Sequence, residues 1–379
     1  MKLPIPYGCQ DITAEDIQTV TQAIGQELIT QGAFLPKLEA AFSSYLQASY
    51  GVAVANGTAA LHLSALALGW EKGSKVICSP LTFVASANCI LYAGAQVDFV
   101  DIDPDTGLMD LALLEKKLTQ SPRGTYQGIV PVDYAGHPIR MDKVAQLAKA
   151  YDLKVLEDSC HAPGGFFQDS DEHVHPCGSG AYADLAIFSF HPVKHITTAE
   201  GGMVTTRNPK LAEKIKTLRN HGIIKEPNSS VGGWYYEMQE LGFNYRMSEL
   251  QAALGYSQVQ RAKANLSLRK QKAQTYDQQL ADLPIQLPEP VAGHAYHLYV
   301  IRTDRRRALY DYLHAHQILV QVHYIPVHLQ PYYQQMGWKK GDFPQAESFY
   351  EQCLSLPLFP QLTEAQQAYV VDKIKAFFR

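Results

Sequence analysis

The stretch "AIFSFHPVKHITTAEGGMV", Ala186 to Val204, passes from an apolar run through aromatic and hydroxyl residues to Lys194, with no acidic residue nearer in sequence than Glu200. A lysine is rarely buried without a partner, and one beside a strand end ordinarily points into water. Withdrawn from water with no carboxylate adjacent, an amine is less readily charged. Its pKa then falls from about 10.4 toward neutrality, where the free amine attacks an aldehyde carbon. The isolation of Lys194 therefore suits a nucleophile.

Three other stretches, and one more residue of this one, offer matching chemistry. After "GVAVA" come Asn56, Gly57 and Thr58, which open the helical "AALHLSALAL". A glycine lets backbone N–H groups close around an anion, and a helix N-terminus adds partial positive charge, so this is a phosphate seat or else an ordinary helix cap. Ser189, ending "AIFS", adds a hydroxyl for the same phosphate. Asp158 follows the apolar Val155 and Leu156, a dry place where a carboxylate needs a partner such as a protonated heterocyclic nitrogen; a turn or helix cap is its ordinary role. Phe83, in "SPLTFVASAN", is a stacking face or a core residue. A phosphate seat, a stacking ring, an acid and a solitary amine are together what pyridoxal phosphate requires.

The elements that must position these groups alternate. From residue 50 to about 206, β-rich runs ("GVAVA", "KVICS", "QVDFVDI", "QGIVPV", "LKVLE", "DLAIFSF", "GGMVTT") are interleaved with helical patterns. This predicts an α/β domain with a mostly parallel central sheet, whose ligands sit beyond the carboxyl ends of the strands. A long helical stretch from about Met247 to Leu283 follows, then strand-like "YHLYVIR" and "ILVQVHY" around the helical "RRRALYDYLHAH". The closing "TEAQQAYVVDKIKAFF" is an amphipathic helix with Thr363 and Gln366 spaced as a capping box. The expected division is an N-terminal arm and large domain over 1–246 and a small α+β domain over 247–379.

Composition excludes other classes. The 379 residues, 46% hydrophobic and 18% charged, describe a folded chain. A net charge of −4 gives no reason to expect nucleic acid or a membrane surface as partner. The opening "MKLPIPYGCQDITAEDIQ" has no apolar core of signal-peptide length, which predicts a cytoplasmic protein. Six scattered cysteines lack C-x-x-C spacing and read mostly as small buried hydrophobes. His173, His175 and Cys177 lie in a polar tract read as an exposed loop, and no metal is expected.

"NGTAALHLSALAL", "TFVASAN", "VDYAGHP", "EDSCHAPGG", "FSFHPVKHITTAEGGMV", "RNHG" and "FNYRMSELQAALG" occur in this order. They resemble the DegT/StrS-type sugar aminotransferases, fold type I pyridoxal-phosphate enzymes of the aspartate aminotransferase-like architecture. The resemblance covers essentially the whole chain. It implies that Lys194 holds the cofactor covalently and shuttles protons, and that Asp158 keeps the cofactor's ring nitrogen protonated. It implies cofactor contacts by Gly57, Thr58, Phe83, His161 and Ser189, and by Asn244 reaching across from a neighbouring subunit, hence a homodimer with active sites at the interface. Tyr7, Thr30, Arg246, His323 and Tyr324 are the implied substrate contacts, each with a packing or capping role as alternative.

"PVDYAGHP", "SFHPVKHITTAEGG", "ILVQVHYIPVHLQPYYQQ" and "LSLPLFP" are similar to the subgroup of pseudaminic acid biosynthesis. That likeness implies a UDP-linked 4-keto-6-deoxy-N-acetylhexosamine aminated at carbon 4 with L-glutamate as donor, or a related nucleotide sugar. Three other functions compete. A sugar dehydratase of the same fold would put a histidine at the lysine position, where His195 is only adjacent. A nicotinamide oxidoreductase is suggested by "GSGAYA" (Gly178 to Ala183), which stands before a strand and not after one. A non-catalytic regulator would have no need of Lys194 and Asp158 together.

Overall fold

The apolar runs become strands, and from Tyr50 to Asp158 each is carried to the next by a helix. A computed structural model describes residues 3–225 and 230–379. The chain begins with β1 (Ile5–Pro6), α1 (Ala14–Ile24) and α2 (Phe34–Leu46). Then β2 (Tyr50–Val54), β3 (Lys75–Cys78), β4 (Gln96–Phe99), β5 (Gly128–Val130) and β6 (Lys154–Asp158) alternate with α3 (Gly57–Ala67), α4 (Val84–Tyr92), α5 (Leu111–Gln120) and α6 (Met141–Tyr151). A hairpin of β7 (Phe166–Gln168) and β8 (Val174–Pro176) precedes β9 (Leu185–Ser189) and β10 (Gly202–Thr206).

Seven of these strands form one sheet in the order β2-β10-β9-β6-β5-β3-β4. Only β10 runs antiparallel to its neighbours; the other pairs are parallel. This is the expected α/β class. Helices cover both faces, which is why β5, β9 and β10 read as near-continuous apolar runs and not as alternating ones. The register sets Val54 and Ser189 on either side of Gly202. The start of α3 thereby lies against the end of β9. A Cβ on Gly202 would come within 2.6 Å of the Asn56 carbonyl oxygen, so this close approach requires glycine.

Beyond the sheet come α7 (Pro209–Leu218) and the hairpin β11 (Ile223–Lys225) and β12 (Tyr236–Met238), followed by α8 (Glu249–Gln260) and α9 (Ala262–Leu280). The single helical stretch expected from Met247 is thus two helices. They part at Arg261, whose guanidinium bonds Asp16 on α1 at 2.7 Å. Buried Glu249 accepts from the N–H of Gly32 and from those of Phe34 and Leu35, two of the free donors at the start of α2. The last part holds β13 (Tyr299–Arg302), α10 (Arg306–Ala315), β14 (Ile318–Leu319), α11 (Pro331–Gln334), α12 (Pro344–Gln352), β15 (Cys353–Leu356) and α13 (Glu364–Phe378). The Thr363–Gln366 capping box forms at the start of α13.

Two packing features bear on how the chain divides. Ala252, Ala253 and Val259 of α8 pack with Phe34, Leu38 and Phe42 of α2, whereas Tyr276 and Leu280 of α9 pack with Tyr299, Leu313, Leu356 and Val370. The N-terminal strand β1 pairs with β14, so Ile5 joins the second group. Against the expected 1–246 and 247–379, we place the proposed division at Arg261, with β1 counted in the small unit.

Candidate active site

At the carboxyl edge of the sheet lies a cavity of about 630 Å³, and the ends of β2, β6 and β9 open into it. Asn56 caps α3, its side chain accepting from the Ala59 N–H at 2.8 Å. Asn56 takes the cap, and Thr58 is exposed and lines the cavity. A Cβ on Gly57 would stand 3.0 Å from the Ser189 Cβ, so Gly57 leaves its backbone N–H open beside the Ser189 hydroxyl. That hydroxyl accepts from the His191 N–H at 3.4 Å. Free N–H groups of a helix start and two hydroxyls make a concave set of donors for a phosphate.

Asp158, last residue of β6, is buried and borders the same cavity. Its Oδ2 accepts from the Ser86 hydroxyl at 2.7 Å and its Oδ1 from the Cys160 N–H at 3.1 Å. Two donors fix the carboxylate while leaving acceptor capacity for a third. Phe83, 56% exposed, lines the cavity with its ring tilted against Tyr324 at 6.0 Å. Buried His161 accepts the Ala135 N–H on Nδ1 at 3.2 Å, so its proton resides on Nε2, 3.2 Å from the Tyr324 hydroxyl. Burial, aided by the Lys194 charge, holds His161 well below the ordinary imidazole value. Tyr7 and His323 complete this side, rings 5.0 Å apart.

Lys194 sits in the turn after β9, partly buried. Its Nζ meets the Nε2 of His297 at 3.4 Å and not a carboxylate. Burial lowers its pKa; Cys160 and Asp158 oppose the shift and Arg269 adds to it. Lys194, Asp158, Phe83, Gly57, Thr58 and Ser189 thus line one space.

Three candidates stand elsewhere. Exposed Thr30 bridges to Ser248, and Arg246 donates to the Asn220 side chain at 2.8 Å. Asn244 is exposed and pairs with Asn220 through the backbone. None of the three lines this chain's cavity. In the tract after Gln168, His175 bonds Asp169 at 2.7 Å while Cys177 turns inward to Ala162 and Ala295, so the tract forms a hairpin and not a single loop.

Sequence reasoning missed His297, which lies just before β13 and 103 residues along the chain from Lys194. It also missed the buried carboxyls Glu157 and Asp133, both bonded by the Ser159 hydroxyl, at 2.9 and 2.7 Å. "LED" held a sign of the pair, since alternation along β6 sends Glu157 to the face opposite Asp158. Burial, and then the Asp133 charge, pushes the Glu157 carboxyl far above its usual range. A raised carboxyl pKa gives stability that is full below the unfolded value, about 4.3, and is lost as pH rises through the folded value. Glu157→Gln, which mimics the protonated acid, is therefore expected to unfold near the wild-type temperature at pH 5 and about 2 °C or more above it at pH 9. Calorimetric scans at the two values check this, and a gap that fails to widen with pH contradicts it.

Residues 10–375 match the profile of the DegT/DnrJ/EryC1/StrS aminotransferase family. The chain is 35% identical to a UDP-4-amino-4,6-dideoxy-N-acetyl-beta-L-altrosamine transaminase of Campylobacter jejuni, with 98% of this chain and 96% of the other aligned. Among solved structures it resembles PseC of Helicobacter pylori, an aminotransferase involved in pseudoaminic acid biosynthesis, at TM-score 0.90 and 31% identity over 100% of this chain and 99% of that one. Spr1654 of Streptococcus pneumoniae, solved in a PLP form, superposes at TM-score 0.89 with 29% identity over 98% of both chains.

Proposed function

Because the chain belongs to the DegT/DnrJ/EryC1/StrS aminotransferase family, we propose that its cavity moves the amino group of L-glutamate onto carbon 4 of a UDP-linked 4-keto-6-deoxy-N-acetylhexosamine, in the pathway to pseudaminic acid. Pyridoxal phosphate is the cofactor. The residues fit it: Gly57 leaves a cradle that a Cβ would close against Ser189, and a partly buried amine faces the same space as a buried carboxylate. When bound, the group supplies a carbonyl that takes up amino groups and a ring that withdraws electrons.

This chain's residues do the rest. The Gly57 N–H and the Thr58 and Ser189 hydroxyls would bind the cofactor's phosphate, Phe83 would stack on its ring, and the Asp158 carboxylate would accept the ring N–H. His161 would donate from Nε2 near the ring. Lys194 would hold the group through Nζ and would hold or give up a proton at that same atom. Tyr7, His323 and Tyr324 border the space left for the sugar. The observation that carries the reading is an amine whose close polar neighbour is an uncharged imidazole.

The active unit in this proposal is a homodimer, in which Asn244 of the partner subunit reaches the phosphate. Trp234, Tyr236, Met238 and Leu241 support it, being large apolar side chains exposed along and beside the β11–β12 hairpin. Arg246, two residues from Asn244, and Thr30 belong to the same proposed interface. No helix among the described residues is long and apolar enough to cross a membrane, and a cytoplasmic location is part of the proposal. The dehydratase alternative is disfavoured because the His195 Nε2 is engaged with the Ala295 carbonyl at 2.9 Å.

The test is a panel of UDP- and dTDP-4-keto sugars offered with L-glutamate, the products read by NMR. Amination at carbon 4 of the UDP-linked 4-keto-6-deoxy-N-acetylhexosamine is expected. Preference for a dTDP-sugar would overturn the substrate assignment, and turnover of none would favour a regulatory role.

A further inference from the structure

His297 lies just before β13 and is buried, 4% exposed. Its Nε2 faces the Lys194 Nζ at 3.4 Å, while its Nδ1 is buried without a hydrogen-bond partner among the described residues. The ring lies between two other imidazoles, His161 at 4.4 Å and His195 at 5.7 Å between centroids. The buried Arg269 guanidinium donates to the His297 carbonyl oxygen at 3.3 Å. Burial first, and then the buried Arg269 guanidinium, hold the ring in its uncharged form.

An uncharged imidazole carries one proton on one of two nitrogens. On Nδ1 that proton would be a donor stranded away from water, and stranded buried N–H groups are rarer than stranded acceptors. On Nε2 it lies between the ring and the amine. His195 displays the same choice: its Nε2 faces the Ala295 carbonyl oxygen, which only accepts, and its Nδ1 is left bare. An ammonium group has no lone pair to receive a proton, whereas a neutral amine does.

We propose that His297 is the positioning residue of Lys194: it carries its proton on Nε2 and donates it to the lone pair of the uncharged amine, which keeps Nζ at the cavity and favours the reactive form. The inference rests on the aminotransferase reading of Lys194. A neutral hydrogen bond of this kind is weak, so it yields when the lone pair turns to a carbonyl carbon.

The first test is ¹⁵N NMR of the full-length chain labelled in histidine, with His297 assigned by the signal missing from His297→Gln. A neutral ring protonated on Nε2 between pH 6 and 9 is expected; a doubly protonated ring, or the Nδ1–H form, overturns the proposal. The second follows the absorbance band that grows when pyridoxal phosphate is added to the cofactor-free full chain, as the Lys194 nitrogen bonds the aldehyde carbon and water leaves. His297→Gln places an amide donor at the same reach and is expected to stay within about twofold of wild type. His297→Leu, lacking a donor, is expected to react about fivefold more slowly at pH 7. Equal rates in Leu and wild type, or equal slowing in Gln and Leu, overturn the proposal. Failure of the unaltered protein to yield a hydride-trapped pyridoxyl group on Lys194 would instead sink the aminotransferase reading.

Discussion

Lys194→Ala is expected to lower turnover by roughly 10³-fold to 10⁴-fold. On hydride reduction with pyridoxal phosphate the variant gains no mass, whereas the unaltered chain gains one pyridoxyl group at Lys194. The size of the effect comes from two losses on one atom: the nucleophile that binds the aldehyde, and the base that carries a proton between substrate and cofactor carbons. Both need the amine uncharged, and burial lowers its pKa in that direction. Lys194→Arg should fall as far, because a guanidinium stays protonated and cannot form the link. The change leaves little unpaired behind, since the contact that the structure gives the amine is His297 at 3.4 Å. Thermal unfolding should therefore move little, which separates lost chemistry from lost folding. An alanine variant keeping a tenth of wild-type turnover would contradict the assignment.

Why Lys194, Asp158 and Gly57 were legible while His297 was not follows from how each is encoded. A strand followed at once by a chemically apt residue is a local pattern, and the parallel sheet gathers such strand ends at one edge whatever the strand order. The order itself is not local. That Gly202 would pair with both Val54 and Ser189, and so require a glycine, depends on β10 inserting between β2 and β9, which no short window shows. His297 belongs to a run that reads as a strand, yet the strand starts only at Tyr299, and its contact with Lys194 joins residues 103 positions apart. Likewise "QVQRAKAN" contains no glycine or proline to announce a break. The helix divides there because Arg261 is held by Asp16, a partner 245 residues away. "ILVQVHY" has full strand character, yet it pairs as a strand only over Ile318–Leu319, with a single further bridge from Gln321 to Ser355, before the chain carries His323 and Tyr324 to the cavity. β15 was unforeseen, since Pro357 directly after it and Pro360 beyond cut its apolar run short.

Asp158→Asn is expected to cost about 10²-fold to 10³-fold in kcat with little change in KM for either substrate. Shape is conserved, so the effect isolates charge. The carboxylate receives the Ser86 hydroxyl on Oδ2 and the Cys160 N–H on Oδ1, and both donors point at a negative group in a buried place. Its remaining lone pairs face the cavity, where they favour a protonated ring nitrogen, and only a protonated ring withdraws electrons strongly from the reacting carbon. An asparagine reverses part of this: its carbonyl can satisfy one of the two fixed donors, and its NH₂ then faces either Ser86 or the ring nitrogen. Facing the ring, it donates where Asp158 accepts, and so disfavours the proton that the chemistry needs. Ser86→Ala removes one orienting bond but keeps the charge, and should lose only about fivefold. Steady-state rates with L-glutamate and the keto sugar, measured for the three proteins in parallel, decide it. If Asp158→Asn falls no further than Ser86→Ala, the carboxylate is holding the end of β6 in place and the ring nitrogen has its partner elsewhere.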